Sequence, residues 1–406
     1  STLKLLKCDH NSIQILNLQG ATNLKELDCS NNKIISILNV PLSIRKIFCQ
    51  FNNITTSLNL EKYNNLVKLN CNNNEIKSLD NLPDGLKVLR CQKCDLTTLD
   101  YLPNSIEDLD CSFNKLKIVD YLPSSLKELD LSFNHIETIA NLPPELERLT
   151  CQNSYSRLKI YSLPKTLKYL DCCYNSNIKF INLPKNIEEL NCSFTQINTL
   201  KFLPANLKIL NCSKNKITEL DNLPKSLVKL TCSYNQIKSL DNLPCSLEEL
   251  NCTYNKITSL DYLPTNLKYL NCDLNQIELL DLLPKNLKTL ICKIDDITFN
   301  YLPESLKILD CEHAKIKSFG NLPENLEYLD CRNNQILTLN NLPENLEYLN
   351  CSGCIKIQSL ENLPNGLKYL DCSKITINIV NFDYLPANLE TFNCSYNYNL
   401  KSINFF

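Results

Sequence analysis

The sequence predicts a solenoid of about 20 stacked coils, each contributing one short strand to a parallel β-sheet. Three observations carry this prediction. A segment of about 20 residues recurs along the whole chain of 406 residues. Within each segment, apolar and polar residues alternate over a stretch long enough for one strand. Most segments begin with a Leu-Pro pair, which favours an extended return path over a helix.

The repeat is plainest in the middle of the chain, where LKILNCSKNKITELDNLP (207–224) is followed by LVKLTCSYNQIKSLDNLP (227–244). We number positions within each repeat from a small apolar anchor at position 0, which is Cys in 19 repeats and Leu131 in one. The 20 anchors are spaced 19 to 22 residues apart. A fixed period of this length is typical of solenoids and fills the chain. We therefore predict that residues 1–406 form a single solenoid with no separate cap or catalytic domain.

Position −2 gives the clearest strand signal, because it is Leu in 18 of the 20 repeats. Position −5 is Leu or Ile in every repeat. Apolar residues at −2 and 0, with polar residues between them, predict a strand that buries one face. With one strand per coil, successive strands are expected to pair in parallel.

Asparagine occupies position +3 in 13 repeats, as at Asn11, Asn32, Asn114 and Asn215. A buried side-chain amide can satisfy backbone groups of an adjacent turn that water cannot reach. Stacked from coil to coil, these side chains predict an asparagine ladder.

Composition excludes several classes of protein. Lys and Arg total 42 against 44 Asp and Glu, and this net charge of −2 lacks the basic footprint of a nucleic-acid binder. No apolar run approaches the ~18 residues of a membrane span, so no membrane insertion is expected. The histidines His10, His135 and His313 lie far apart in the sequence, and there are only 5 Gly. We predict no catalytic residues, no metal site, no cofactor and no enzymatic activity.

The consensus LxxLxCxxNxI resembles the conserved segment of leucine-rich repeats, and the resemblance covers the whole chain. The LPxxL start and the 20-residue length are similar to the short subclass found in secreted bacterial effectors. The anchor Cys is similar to the cysteine ladder of internalin-type bacterial surface proteins. The resemblance implies an α/β-class solenoid with a curved parallel sheet on its concave side and a mostly extended, non-helical convex side. It also implies an effector-like role, since effectors of this subclass bind host proteins.

Of the 23 cysteines, 19 occupy the anchor, and we expect a ladder of buried, reduced thiols. Neighbouring anchors of a parallel sheet point the same way, which does not suit disulfides. So many free thiols indicate a reducing compartment, either the cytoplasm or a host cytosol that receives the protein. Cys173, at position +1, and Cys245, on the outer coil, are predicted to be exposed and are the candidates for reactive thiols.

The candidate partner-binding residues are predicted on the concave face of repeats 14 to 19, where the outward positions −3, −1, +1 and +2 lose their consensus. Position +1 there reads Asp273, Lys293, Glu312 and Arg332, which predicts a ladder of ion pairs. The core positions keep their pattern over the same stretch, and exposed apolar and tyrosine side chains are typical of a contact surface. A chance cluster in a drifting repeat is the alternative. The predicted contact residues are Tyr269, Leu274, Ile291, Ile294, Ile308, Tyr328, Tyr348 and Tyr369.

A second row of aromatic residues lies at position +2, and we call it the aromatic stripe. Packing along the edge of the sheet is the favoured interpretation, and contact with a partner is the alternative. Its members are Phe51, Phe113, Phe133, Tyr174, Phe194, Tyr234, Tyr254 and Tyr396.

These observations favour a non-enzymatic scaffold that binds a protein partner, of unknown identity, on its concave face. The alternative is a structural component, such as a fibre, coat or surface-layer subunit. Neither end of the sequence shows a cap, so end-to-end self-association through open coils is possible. A size measurement discriminates between the two, since the scaffold is expected to be a monomer and the structural component to form end-to-end oligomers.

Overall fold

The computed structural model describes residues 1–55, 58–152, 158–176, 178, 183–295, 299, 301–357, 359–375, 385–398 and 400. These residues belong to two compact units. Unit 1 is Ser1–Ile197 and unit 2 is Asn198–Phe406.

The main sheet of unit 1 consists of strands that cover positions −3 to −1 of successive repeats, paired in parallel and without a shift between equivalent positions. Two further strand pairs, β2 with β4 and β10 with β12, lie outside this sheet. The strands of unit 1 are β1 (Leu5–Lys7), β2 (Ile15–Asn17), β3 (Glu26–Asp28), β4 (Ser36–Leu38), β5 (Lys46–Phe48), β6 (Lys68–Asn70), β7 (Val88–Arg90), β8 (Asp108–Asp110), β9 (Glu128–Asp130), β10 (Thr138–Ile139), β11 (Arg148–Thr150), β12 (Lys159–Ile160), β13 (Tyr169–Asp171) and β14 (Glu189–Asn191).

Unit 2 repeats the same arrangement, again with equivalent positions paired in parallel. Its strands are β15 (Ile209–Asn211), β16 (Lys229–Thr231), β17 (Glu249–Asn251), β18 (Tyr269–Asn271), β19 (Thr289–Ile291), β20 (Ile308–Asp310), β21 (Tyr328–Asp330), β22 (Tyr348–Asn350), β23 (Tyr369–Asp371) and β24 (Thr391–Asn393).

The core of each unit is built from the positions that the sequence assigns to it. Leu210 at −2, Cys212 at the anchor and Leu207 at −5 are fully buried, and the same positions are buried in the neighbouring coils. The anchor thiols form a ladder of free cysteines. Stacking thus buries an apolar row that no single coil could remove from water.

The return path of each coil is not helical in the part of the chain that the structure describes. The Leu-Pro pair begins a turn, in which the carbonyl of Pro83 accepts a hydrogen bond of 3.0 Å from the amide of Leu86. The predicted solenoid with a parallel sheet and an extended return path is therefore confirmed. Among the described residues, no helix is long and apolar enough to cross a membrane.

The asparagine ladder is confirmed, and Asn114 shows how it works. Its Nδ2 donates to the carbonyl oxygens of Cys91 and Cys111, both at 2.9 Å. Its Oδ1 accepts from the amides of Cys94 and Leu96, both at 3.0 Å. One side chain therefore satisfies backbone groups of its own coil and of the preceding coil.

We predict that Asn114→Ala lowers the free energy of unfolding by roughly 1–3 kcal/mol, because it leaves buried backbone groups without a partner. Asn11→Ala is the matched control, since Asn11 holds the same position but is exposed and should cost less than the buried residue. Urea denaturation followed by circular dichroism measures both. Equal losses for the two variants would contradict the role given to the ladder.

Candidate partner-binding face

Position −3 of unit 2 forms one continuous row on the outward face of the sheet, because the strands pair without a shift. Tyr269 pairs with Thr289, and Thr289 with Ile308. Ile308 is followed in the row by Tyr328, Tyr348 and Tyr369. The structure thus places five of the eight predicted contact residues in one row.

Tyr328, Tyr348 and Tyr369 form a continuous stack of rings, which we call the tyrosine stack. The ring centroids of Tyr328 and Tyr348 are 4.1 Å apart and those of Tyr348 and Tyr369 are 4.3 Å apart, with interplanar angles of 10° and 4°. All three side chains are half-buried. Burial, followed by the hydrogen bond with Tyr328, raises the pKa of the Tyr348 hydroxyl to about 12. The Tyr348 hydroxyl therefore stays protonated at neutral pH.

Two more predicted contact residues lie near the row. Ile291 is half-buried at the end of β19, beside Thr289. Leu274 is 50% exposed and has a φ of 51°, so its side chain leaves the sheet from a left-handed backbone conformation. Leucine in that conformation costs roughly 1–2 kcal/mol, and half of the side chain still faces water.

The predicted outward position of Ile294 is wrong, because this side chain is only 5% exposed. In a regular repeat, residue +2 is exposed and residue +3 is buried, as for Phe113 and Asn114. Here the +3 residue is Asp295, an exposed carboxylate that pairs with Lys315. A carboxylate in the buried ladder would be costly, so the isoleucine turns inward in its place.

The predicted ladder of charges at position +1 forms. The Lys293 ammonium lies 3.6 Å from an oxygen of Asp273 and also pairs with Glu312, which pairs in turn with Arg332. Burial raises the pKa of Asp273. Burial acts in the same direction on Glu312, but its bonds with Lys293 and Arg332 outweigh burial and hold its pKa below the usual range. Asp273 and Glu312 are 6% and 8% exposed, so the ladder is more buried than its position in the sequence indicates.

Six rings of the aromatic stripe pack on one another in neighbouring pairs. Phe113 stacks on Phe133 and Tyr174 on Phe194, both with centroids 4.2 Å apart, while Phe113 stays 44% exposed. Packing along the sheet edge is therefore observed, and partner contact at the stripe stays a prediction. Every member has a positive φ, although Asn and Gly suit that conformation better; the members are Phe51, Phe113, Phe133, Tyr174, Phe194, Tyr234, Tyr254 and Tyr396.

The predicted exposure of Cys173 is wrong, whereas that of Cys245 is confirmed. Cys173 is 4% exposed, and its amide donates to Asp171 Oδ1 at 3.1 Å. Burial, followed by the negative charge of Asp171, raises the pKa of the Cys173 thiol. Serine at +1 is buried in the same way where it bonds to the Asp at −1, as Ser30 does with Asp28. An Asp at −1 followed by a Ser at +1 is visible in the sequence, and it could have indicated that residue +1 faces the side chain at −1.

No cluster of three or more His, Cys, Asp or Glu side chains suited to a metal ion occurs among the described residues. Unit 1 contains a mostly apolar cavity of about 180 Å³, whose lining includes Ile47, Ile54 and Tyr63. It holds no acid–base pair of side chains.

Comparison with known proteins places this geometry in a family. A family model described as Leucine Rich Repeat matches residues 23–47 and 125–149. YopM from Yersinia enterocolitica WA-314 is 30% identical, and the alignment covers 95% of this chain and 91% of that chain with a TM-score of 0.68. The chain belongs to the leucine-rich repeat family. Within this family it has a buried cysteine ladder at the third leucine position.

Two other structures support the leucine-rich repeat fold. An LRR protein of Leptospira interrogans is 25% identical, with a TM-score of 0.55 and coverage of 82% of this chain and 91% of that chain. TLR13, solved in complex with ssRNA13, is 20% identical, with a TM-score of 0.52 and coverage of 96% and 77%. No curated protein matched the chain.

We predict that a maleimide reagent under native conditions modifies Cys245 first and leaves Cys173 as slow as the buried anchor cysteines. Exposure decides the order, because the thiolate of a buried cysteine is disfavoured and the reagent cannot reach it. Mass spectrometry of timed samples measures the rates. Cys245→Ser should remove the fast reaction, and rapid labelling of Cys173 in that variant would contradict its burial.

Proposed function

We propose that this leucine-rich repeat protein is a non-enzymatic scaffold that binds a protein partner on the outward face of unit 2, the face expected to be concave. The tyrosine stack is the observation that carries the proposal. It presents three adjacent aromatic side chains and their hydroxyls at a place where the fold needs none.

Other repeats of unit 2 support the view that the fold does not need an aromatic side chain at position −3. At the same position −3, β15 has Ile209, β16 has Lys229 and β17 has Glu249, all in equivalent strands with the same buried leucine beside them. The fold therefore accepts aliphatic, basic and acidic side chains there. Tyrosine is enriched in contact surfaces because its ring offers a large, rigid area and its hydroxyl can form hydrogen bonds at the solvated edge of an interface.

A protein partner fits this face better than a nucleic acid. The likeness to YopM supports an interaction role, since it extends over 95% of this chain and 91% of that chain. TLR13 was solved with an RNA, but its likeness to this chain extends to the fold alone. The carboxylates Asp310, Asp330 and Asp371 lie in the row beside the tyrosine stack, where they would repel phosphate groups.

We also propose that the protein works in a reducing compartment, either the cytoplasm or a host cytosol. The free anchor thiols support this location, because an oxidising compartment would expose them to disulfide exchange during folding.

We predict that Tyr328→Ala weakens binding of a captured partner by about 1–3 kcal/mol. Phe113→Ala is the matched control, since each variant removes one stacked ring contact, at 4.1 Å and 4.2 Å respectively. Both should lower the free energy of unfolding by a similar amount, up to about 1.5 kcal/mol. Only the tyrosine variant should lose affinity, measured by titration calorimetry with the partner recovered by the wild-type protein.

The reverse result would move the binding surface to the aromatic stripe. If Tyr328→Ala leaves affinity unchanged while Phe113→Ala abolishes it, the proposed face is wrong. A loss of affinity in both variants, in proportion to their loss of stability, would also count against a specific role for the tyrosine stack.

A further inference from the structure

The face around the tyrosine stack carries an excess of negative charge. Over the repeats of β20 to β23, the residues at the outward positions −3, −1, +1 and +2 include four carboxylates, one guanidinium and one ammonium, a net charge of −2. The cations are Arg332, which is already paired with Glu312, and Lys374, whose ammonium lies 5.6 Å from the centre of the Tyr396 ring. The acidic residues are Asp310, Glu312, Asp330 and Asp371.

The hydrogen bonds that Asp330 and Asp371 accept come from neutral groups. Asp371 accepts from the amide of Ser373 at 2.9 Å and from Asn393 Nδ2 at 2.8 Å. Asp330 accepts from the amide of Arg332 and from Asn350 Nδ2, both at 3.2 Å. The Arg332 side chain is farther from Asp330, at 3.8 Å. Asp330 is only 4% exposed, and burial raises its pKa although the charge of Arg332 acts in the opposite direction.

The two ends of the tyrosine stack have uncharged neighbours in the same row. Tyr328 is next in register to Ile308, and Tyr369 is next to Thr391. Ile308 is 39% exposed, and Thr391 is exposed as well. These neighbours place no cation over the outer faces of Tyr328 and Tyr369, which carry the negative side of the ring quadrupole.

Unit 1 contains an example of a cationic side chain that stacks on a tyrosine at position −3. Arg148 and Tyr169 are partners in register at position −3 of β11 and β13. The guanidinium carbon of Arg148 lies 3.9 Å from the centre of the Tyr169 ring. The spacing of the strands therefore suits a guanidinium stacked directly on a tyrosine of this row.

We propose that the partner presents a basic segment to this face, with arginine side chains that stack on the ends of the tyrosine stack and pair with Asp371. This inference rests on the proposed function and names the chemistry of the partner. Arginine fits better than lysine, because its planar group can stack on a ring while its edge donates to a carboxylate. Asp371 then gains a positively charged partner, which its hydrogen bonds with Ser373 and Asn393 do not provide.

Fluorescein-labelled octa-arginine and octa-lysine peptides test the proposal by fluorescence anisotropy with the full chain. At about 0.15 M salt, where long-range attraction is screened, we expect the arginine peptide to bind about tenfold more tightly. Tyr369→Leu should reduce that preference, because it keeps an apolar side chain but removes the ring at one end of the tyrosine stack. Asp371→Asn should weaken binding of both peptides several-fold.

Asp130→Asn is the matched control, since Asp130 is a carboxylate at the same position −1 but lies in unit 1. It should leave binding of both peptides within twofold of the wild type. Thermal unfolding of each variant shows whether the protein is intact. Equal affinity for the two peptides, no effect of Tyr369→Leu, or an equal loss in Asp130→Asn would overturn the proposal.

The outcomes separate this inference from the proposed function. If Tyr328→Ala weakens binding of the captured partner but neither peptide binds, the basic segment is wrong and the binding face stands. If both peptides bind as expected but Tyr328→Ala leaves the captured partner untouched, the proposed function is wrong, and with it the assignment of that partner.

Discussion

The hydrogen bonding of the buried turn after each strand is the constraint on which the rest of this solenoid depends. A turn between strand and return path leaves amide and carbonyl groups that water cannot reach. Asn114 satisfies two carbonyls and two amides from a single side chain, and so ties its coil to the preceding one. The strands pair without a shift, so each position of the repeat becomes a straight row.

This division between inner and outer rows explains where function can reside. Inner rows are held by leucine, cysteine and asparagine, whereas position −3 accepts side chains as different as Lys229 and Tyr328. An interaction surface can therefore change without disturbing the core. The repeat at Cys292 shows the limit of that freedom, since loss of the asparagine there turns Ile294 inward and Asp295 outward.

Much of the fold could be predicted from the sequence, because a period of about 20 residues determines which side chains share a row. The strands, the buried leucines and the asparagine ladder follow from that period and from alternation. The positions just after the strand were harder to predict. Cys173 is buried because residue +1 turns toward the carboxylate at −1, and Ile294 is buried because its repeat lost an asparagine. The tyrosine stack needed the register of the strands, and the face it marks stays a prediction until binding is measured.

Our central claim is that outward residues of unit 2 serve binding even where they destabilise the fold. Leu274 tests this claim most directly. This leucine has a φ of 51° and is 50% exposed, whereas the same position is Asn in Asn31, Asn73 and Asn333. Leu274→Asn relieves a left-handed conformation that asparagine adopts readily, so the free energy of unfolding should rise by about 0.5–1 kcal/mol. Binding of the captured partner should weaken in the same variant. A variant that is more stable and binds as tightly as the wild type would contradict a contact role for Leu274, and a less stable variant would contradict the strain assigned to it.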